Sequence, residues 1–269
     1  RLSPFLTAIF SNSPLHLGKP SGYKSFRSHI WQNTDGTRSG IPGAFIRKDF
    51  TIEDYIDWAL LASPYHLNRQ GEIHELMDHS FRNLMDGSYP QIKTDFEDWK
   101  DHLGMLFPEI RIKNIIEIRS IDTLNPEYVL AVPALLQALI YDESVFGKLE
   151  SMMMDLPENE FPWYQQVAAR DGLAGQVNQI NFSHFAKKLM EMALESLTLS
   201  EGCRLALFFD RYTRHGLSPA DLVLERFYSA DENPLKWIHK ELQSDEEKQS
   251  SFINFPCDVD EHPTSWVSH

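Results

Sequence analysis

The sequence predicts an α+β fold whose C-terminal half is largely helical, and three observations carry that expectation. Residues 109–119 set Ile110, Ile112, Ile116 and Ile118 on one parity and Glu109, Arg111, Lys113, Glu117 and Arg119 on the other, the pattern of a half-buried strand. After Asn125-Pro126 the apolar spacing is helical almost to residue 228. With 269 residues, 42% of them apolar and 12% aromatic, the chain has the length and composition to bury a full core.

Taken in order, "LSPFLTAIF" (2–10) reads as an apolar helix without a capping approach, an arrangement expected of the C-terminal portion of a longer chain. Residues 11–43 are dense in Gly, Pro, Ser, Asn and Asp and show no sustained period. A long structured loop is expected there, of the kind that domains keep for binding or catalysis. "FTIEDYIDWALLAS" (50–63) is a helix with Thr51 as N-cap and Asp54 as its third-position acid. "SPYHLNRQGEIHEL" (63–76) predicts a hairpin turning at Gln70-Gly71, and "SFRNLMDG" (80–87) a short helix stopped by Gly87. "TDFEDWKDHLGMLFP" (94–108) is a helix capped by Thr94 or Asp95 and finished before Pro108. Beyond the strand "EIRIKNIIEIRSI" (109–121), helices are expected at about 127–154, 160–171, 181–199, 200–214 and 218–228, the last opened by Ser218-Pro219. From about Gln243, "QSDEEKQSSF" reads as a solvated linker, dividing the chain into a domain over 1–242 and a linker with an irregular tail over 243–269.

Charge narrows the function. A net charge of −14 argues against nucleic acid or an anionic membrane as the partner, since both require clustered Lys and Arg. The longest apolar run, 129–141, is 13 residues long and holds Pro133 and Gln137, too short and interrupted to cross a bilayer. No signal peptide is evident. Cys203 and Cys257 give no disulfide framework and fit a reducing compartment, with cytoplasm as the expectation. Against this acidic background, residues 1–50 hold seven Lys or Arg and only two acids, Asp35 and Asp49. A cationic segment on an acidic body is a candidate anion site, and the alternative is a solvated loop paired with acidic helices.

Two places could carry chemistry. Glu117 and Arg119, two apart on a strand, project the same way, where a carboxylate can hold magnesium while a guanidinium grips phosphate oxygens. The alternative is a charged sheet face with cross-strand ion pairs. In the loop, Arg27 and Arg38 could fix an anionic substrate through their planar forks, with Tyr23 and Trp31 as its wall. His29 has no spaced partner histidine, which favours a packing role, and Asp35-Gly36 is first a turn signal. Cys257, Asp258, Asp260 and His262 match no ligand spacing. No phosphate loop, dinucleotide fingerprint, nucleophile elbow or zinc motif occurs.

Five blocks carry a resemblance: "TAIFSNSP" (7–14), "GKPSGYKSFRSHIWQNTDGTRSG" (18–40), "YIDWAL" (55–60), "FEDWKDHLGMLFPEIRIKNIIEIRSID" (96–122) and "VPALLQALIYD" (132–142). Together they resemble the plant-type and proteobacterial glutamate–cysteine ligase family. The resemblance implies an ATP-dependent carboxylate–amine ligase on a glutamine-synthetase-like scaffold, an antiparallel sheet backed by helices. Part of that sheet would be contributed by sequence before Arg1, and 1–242 would be a partial catalytic domain. It implies that ATP phosphorylates the glutamate γ-carboxylate and that the cysteine amine displaces phosphate, with magnesium bridging the nucleotide. By motif position Glu117 would be a magnesium ligand, Arg119 a catalytic and nucleotide-binding residue and Arg27 a catalytic and glutamate-binding one. Tyr23, His29, Trp31 and Arg38 would be pocket residues. A relative that uses another amine, an incomplete homologue that binds an anion without chemistry, and a helical interaction domain over 127–228 are the competing expectations.

Overall fold

The apolar run near the start forms α1 (Ser3–Ile9), and all seven of its residues are buried. It has no side-chain cap, and Pro4 in its first turn removes one of the N–H groups that a cap would satisfy. The computed structural model describes residues 1–69, 71–76, 78–88 and 92–230. Gln70 of the expected hairpin turn and the tail expected over 243–269, with Asp258, Asp260 and His262, lie outside the described residues.

Downstream come β1 (Leu15–His16), β2 (Lys19–Pro20), α2 (Phe26–Gln32), β3 (Ser39–Gly40), a 3-10 turn at Gly43–Ile46, α3 (Ile52–Leu61), β4 (His66–Arg69) and β5 (Glu72–Glu75). They are followed by α4 (Phe81–Met85), α5 (Phe96–Gly104), β6 (Phe107–Pro108), β7 (Ile110–Ile112) and β8 (Ile116–Ile118). The rest holds α6 (Ala131–Tyr141), α7 (Glu143–Met154), α8 (Phe161–Asp171), β9 (Gln176–Val177), β10 (Ile180–Asn181), α9 (Phe182–Ser196), α10 (Leu199–Arg211) and α11 (Pro219–Ser229). Mixed helix and short strand, with a helical C-terminal half, is the α+β class expected. A single antiparallel sheet is not seen among the described residues. The strands pair in twos, with β1–β2, β4–β5, β7–β8 and β9–β10 antiparallel and β3–β6 parallel.

The described residues divide into two compact units, one within Ile30–Ser120 with Arg1, the other of Leu2–His29 with residues 121–230. In the first unit, α3 begins with the predicted capping box. Asp54 N–H donates to the Thr51 hydroxyl at 3.4 Å and Thr51 N–H to the Asp54 carboxylate at 2.8 Å. Asp95, one of the two candidates, caps α5 by accepting from the N–H groups of Glu97 and Asp98. Ala59, Ala62 and Leu106 are buried with Trp58, Trp99 and Leu103 packed against them, while Leu67, Leu76 and Leu84 form a second cluster. The predicted hairpin is β4–β5, with Arg69 opposite Glu72 and Gly71 at φ +91° in the turn.

The expected strand over 109–121 is instead the β7–β8 hairpin, pairing Ile110 with Ile118, Arg111 with Glu117 and Ile112 with Ile116. Each pair shares a parity, so the alternation that indicates one strand runs unbroken through the turn at Lys113–Ile115. Tyr55 of α3 holds this hairpin by donating its hydroxyl to Ile112 C=O at 3.2 Å and accepting Ile112 N–H at 2.9 Å. One side chain thereby satisfies both backbone groups of a residue that has no further strand beside it among the described residues.

His102 of α5 is fully buried, stacked on Phe81 at 4.6 Å, with Nε2 2.7 Å from Ala59 C=O. A carbonyl oxygen only accepts, so Nε2 carries the proton of a neutral ring. Burial lowers the His102 pKa and outweighs the bond to Ala59, with the Arg38 charge adding to the lowering. The unfolded chain, with a histidine value of about 6.5, takes up the proton first. Stability from this site is therefore complete above pH ~6.5 and lost as the pH falls toward the folded value. Urea midpoints measured from pH 7.5 down to 5.5 (~6.5 being the pivot) should decline in the wild type and decline less in His102→Gln. Equal slopes in the two proteins would assign the decline to other groups.

In the second unit the aromatic core joins α1 to α8, α9 and α10. Phe5 stacks on Phe185 at 4.0 Å and packs on Tyr164 at 5.9 Å, while Phe10 meets Phe208 at 5.0 Å. The helix expected over 127–154 is two helices. Asp142 leaves the helical region at φ −88°, ψ 113° and accepts Val145 N–H, which makes it the N-cap of α7. Cys203 lies on α10, its sulfur 3.5 Å from Ser200 C=O. Cys257 lies outside the described residues. Among the described residues no helix is long and apolar enough to cross a membrane.

Candidate functional site

In the second unit, the loop at 11–29 is fastened by polar bonds rather than by apolar packing. Lys24 and Ser25 N–H both donate to Ala169 C=O of α8 at 2.9 Å, and Lys24 Nζ pairs with Asp221 of α11 at 2.6 Å. Phe26 N–H bonds to Ser13 C=O, and Ser13 N–H to Lys24 C=O, drawing the two ends of the loop together. The loop then enters α2, which corrects the expectation of irregular chain up to residue 43. Only Ser28 of this helix is buried, so it offers no apolar stripe for a period to reveal. Arg27 lies in its first turn. Tyr23 and His29 stack at 3.9 Å with an interplanar angle of 20°, beside Phe26 at 6.2 and 5.7 Å. His29 and Tyr23 thus pack on one another.

Trp31, Arg38, Glu117 and Arg119 belong to the first unit. Trp31 lies 5.4 Å from Phe107, and the Arg119 guanidinium stands 5.5 Å from Trp31 and 5.4 Å from Phe107. Glu117 is held by two arginines. Arg111 Nε and Nη2 donate to its Oε2 at 3.0 and 2.6 Å, and Arg119 Nη1 donates to Oε1 at 2.7 Å. This is the cross-strand alternative, because Arg111 sits opposite Glu117 in the β7–β8 pairing. Burial alone would raise the Glu117 pKa, but the bonds and charges of Arg111 and Arg119 outweigh it and hold the carboxyl below its ordinary value. Arg111 is further fixed by the carbonyls of Gly104 and Leu106, each at 3.0 Å. The charged face of the hairpin is more enclosed than the isoleucine face at one point. Ile116 is 67% exposed, whereas the side chains of Arg111 and Arg119 are 12% and 18% exposed.

The magnesium role implied for Glu117 meets an obstacle here. Both of its carboxylate oxygens are engaged by guanidinium groups, and among the described residues no group of three His, Cys, Asp or Glu is placed to hold a metal ion. These residues, as they stand, do not make a magnesium site.

Arg38, expected beside Arg27 as an anion-fixing pocket residue, is enclosed within the first unit. It is 3% exposed, its Nε donates to Asp35 at 2.6 Å, and its guanidinium lies 3.8 Å from the centre of the Tyr65 ring. Asp35 forms the expected turn, accepting Thr37 N–H at 2.9 Å. Two residues missed by sequence reasoning as site members are Phe107 and Arg111. Arg111 shares the parity of Glu117 and Arg119, but its role depends on the turn that brings it opposite. The candidate residues therefore fall into two groups, an aromatic and arginine segment in one unit and a carboxylate clamped by two arginines beside two aromatic rings in the other.

Comparison with known proteins places this α+β chain in a family. The model of "Glutamate-cysteine ligase family 2" matches residues 1–249. The chain is 32% identical over 233 residues to the chloroplastic glutamate–cysteine ligase of Nicotiana tabacum, covering 84% of this chain and 44% of the relative. It is 31% identical to that of Solanum lycopersicum and 30% to that of Medicago truncatula, each over 247 residues and 90% of this chain, with 47% and 48% of the relatives covered. The chain belongs to the glutamate–cysteine ligase family, as the five sequence blocks indicated. It spans about half the length of the curated relatives it matches. Those relatives are chloroplastic by name, whereas the expectation for this chain was cytoplasm.

Proposed function

We propose that this chain, over residues 1–242, supplies anion-gripping residues of a ligase that joins the γ-carboxylate of L-glutamate to the amine of L-cysteine with ATP, the first step of glutathione synthesis. The family match carries the reading, because it spans both the loop of Arg27 and the hairpin of Glu117 and Arg119. A γ-carboxylate oxygen attacks the terminal phosphorus of ATP and ADP leaves. The cysteine amine then attacks the acyl carbon, and phosphate departs with that same oxygen. Each stage concentrates negative charge, which fixed guanidinium groups stabilise without reorganising.

In this reading Arg27 binds a carboxylate of glutamate through its planar fork. Arg119, steered by Glu117 and backed by Trp31 and Phe107, meets the phosphoryl oxygens. Tyr23 and His29 line the segment that carries Arg27. The antiparallel scaffold like that of glutamine synthetase belongs to the same proposal, with β7–β8 as two of its strands. Magnesium belongs to it as the usual companion of ATP. A ligand role for Glu117 requires Arg111 or Arg119 to release a carboxylate oxygen.

Phosphate release tests the reading. The full polypeptide carrying this sequence, given magnesium, ATP and glutamate, should release phosphate in a cysteine-dependent way. Dependence on glycine or another amine instead of cysteine would assign a related ligase. Glutamate binding without turnover for any amine would favour the non-catalytic homologue.

A further inference from the structure

We infer that Asp122, which follows β8, is a positioning residue for Arg27. The inference rests on the proposal that Arg27 contacts glutamate. Asp122 is 4% exposed, and the partners of its carboxylate are three hydrogen-bond donors. Oδ2 accepts Asn12 N–H at 2.8 Å and the Ser13 hydroxyl at 2.7 Å, and Oδ1 accepts the Ser25 hydroxyl at 2.9 Å. All of these residues belong to the second unit.

The two serines pass this arrangement to α2. An ionised carboxylate only accepts, so each hydroxyl must direct its single proton to Asp122 and turn its lone pairs elsewhere. Ser13 Oγ then accepts Arg27 N–H at 3.1 Å, and Ser25 Oγ accepts Ser28 N–H at 3.1 Å. Asp122 thereby sets the direction of both hydroxyls that hold the first-turn N–H groups of α2. Ser25 and Ser28 are buried at 0% and 2% exposure, so water has little access to replace the Ser25 arm. The backbone of Arg27 is fixed by a carboxylate far along the chain, and the direction in which its side chain leaves the helix is fixed with it.

The test is kinetic and uses the full polypeptide. Arg27→Lys, Ser13→Ala, Asp122→Ala and the Arg27→Lys/Ser13→Ala double variant are compared for glutamate KM, kcat and Tm, with amide exchange at Arg27 and Ser28. Ser13→Ala keeps a folded protein available should Asp122→Ala fold poorly. Removing one such bond should raise the glutamate KM about fivefold, leave kcat within about twofold, and speed exchange at the Arg27 amide. In the double variant the rise over Arg27→Lys should be under about twofold, because both changes act on one contact. A rise with Arg27→Lys but none with Ser13→Ala, or full additivity between them, overturns the positioning role and leaves Arg27 in place. No change in KM with either variant overturns the Arg27 assignment and the inference together.

Discussion

Glu117→Gln should lower turnover of the full polypeptide about a hundredfold, the loss typical of one misdirected donor to a developing anion. The substituted amide presents a single carbonyl oxygen where the carboxylate presents two, and its N–H groups face a guanidinium, donor against donor. Arg111 keeps the carbonyls of Gly104 and Leu106, so the oxygen that matters most is the one steering Arg119. Arg111 and Arg119 are each largely enclosed, and the variant should lose about 1–3 kcal/mol of stability by urea unfolding. Magnesium titration divides the two roles for Glu117. Half-saturation unchanged from wild type assigns it to the arginine clamp, whereas a roughly tenfold higher requirement (about 1.4 kcal/mol in binding) makes it a ligand. Wild-type turnover, stability and magnesium requirement would remove Glu117 from the site.

Arg27→Lys should raise the glutamate KM about tenfold to a hundredfold and leave kcat and the ATP KM nearly unchanged. An ammonium keeps the charge but loses the planar, two-bond geometry of the fork, and a charge-assisted bond contributes about 1.5–3 kcal/mol. A change confined to KM means that the bond is equally strong in the ground and transition states. A fall in kcat with KM unchanged would place Arg27 at the phosphoryl group, and no change in either would make it a loop residue.

Local chemistry was legible in the sequence, and pairing over distance was not. Thr51 and Asp54 form their box within four residues, and Asp95 caps α5 within three, so both follow from spacing alone. Asp142 is a cap of the same kind, but it lies in a continuous apolar period that hides the break between α6 and α7. For α2 the period is absent, because polar bonds from Ser13 and Ser25 replace an apolar face. The hairpin at 110–118 keeps its parity through the turn, so one strand and two look alike until the register is known. That register is what turns Arg111 from a charged surface residue into half of the Glu117 clamp. Asp122 was invisible as an organiser, since its partners come from residues 12, 13 and 25. Among the loop residues, Arg38 resembled Arg27 by composition. The contacts of Arg38 with Asp35 and Tyr65 set the two apart, and composition does not reveal them.

In the proposed reaction glutamate is activated at its γ-carboxylate by phosphorylation, and the oxygen atoms of that group report on it directly. Glutamate labelled with heavy oxygen in the γ-carboxylate, incubated with ATP, magnesium, cysteine and the full polypeptide, should transfer one labelled oxygen to each phosphate released. Released phosphate that carries no label would mean that water or another group attacks ATP, and would overturn activation at the γ-carboxylate.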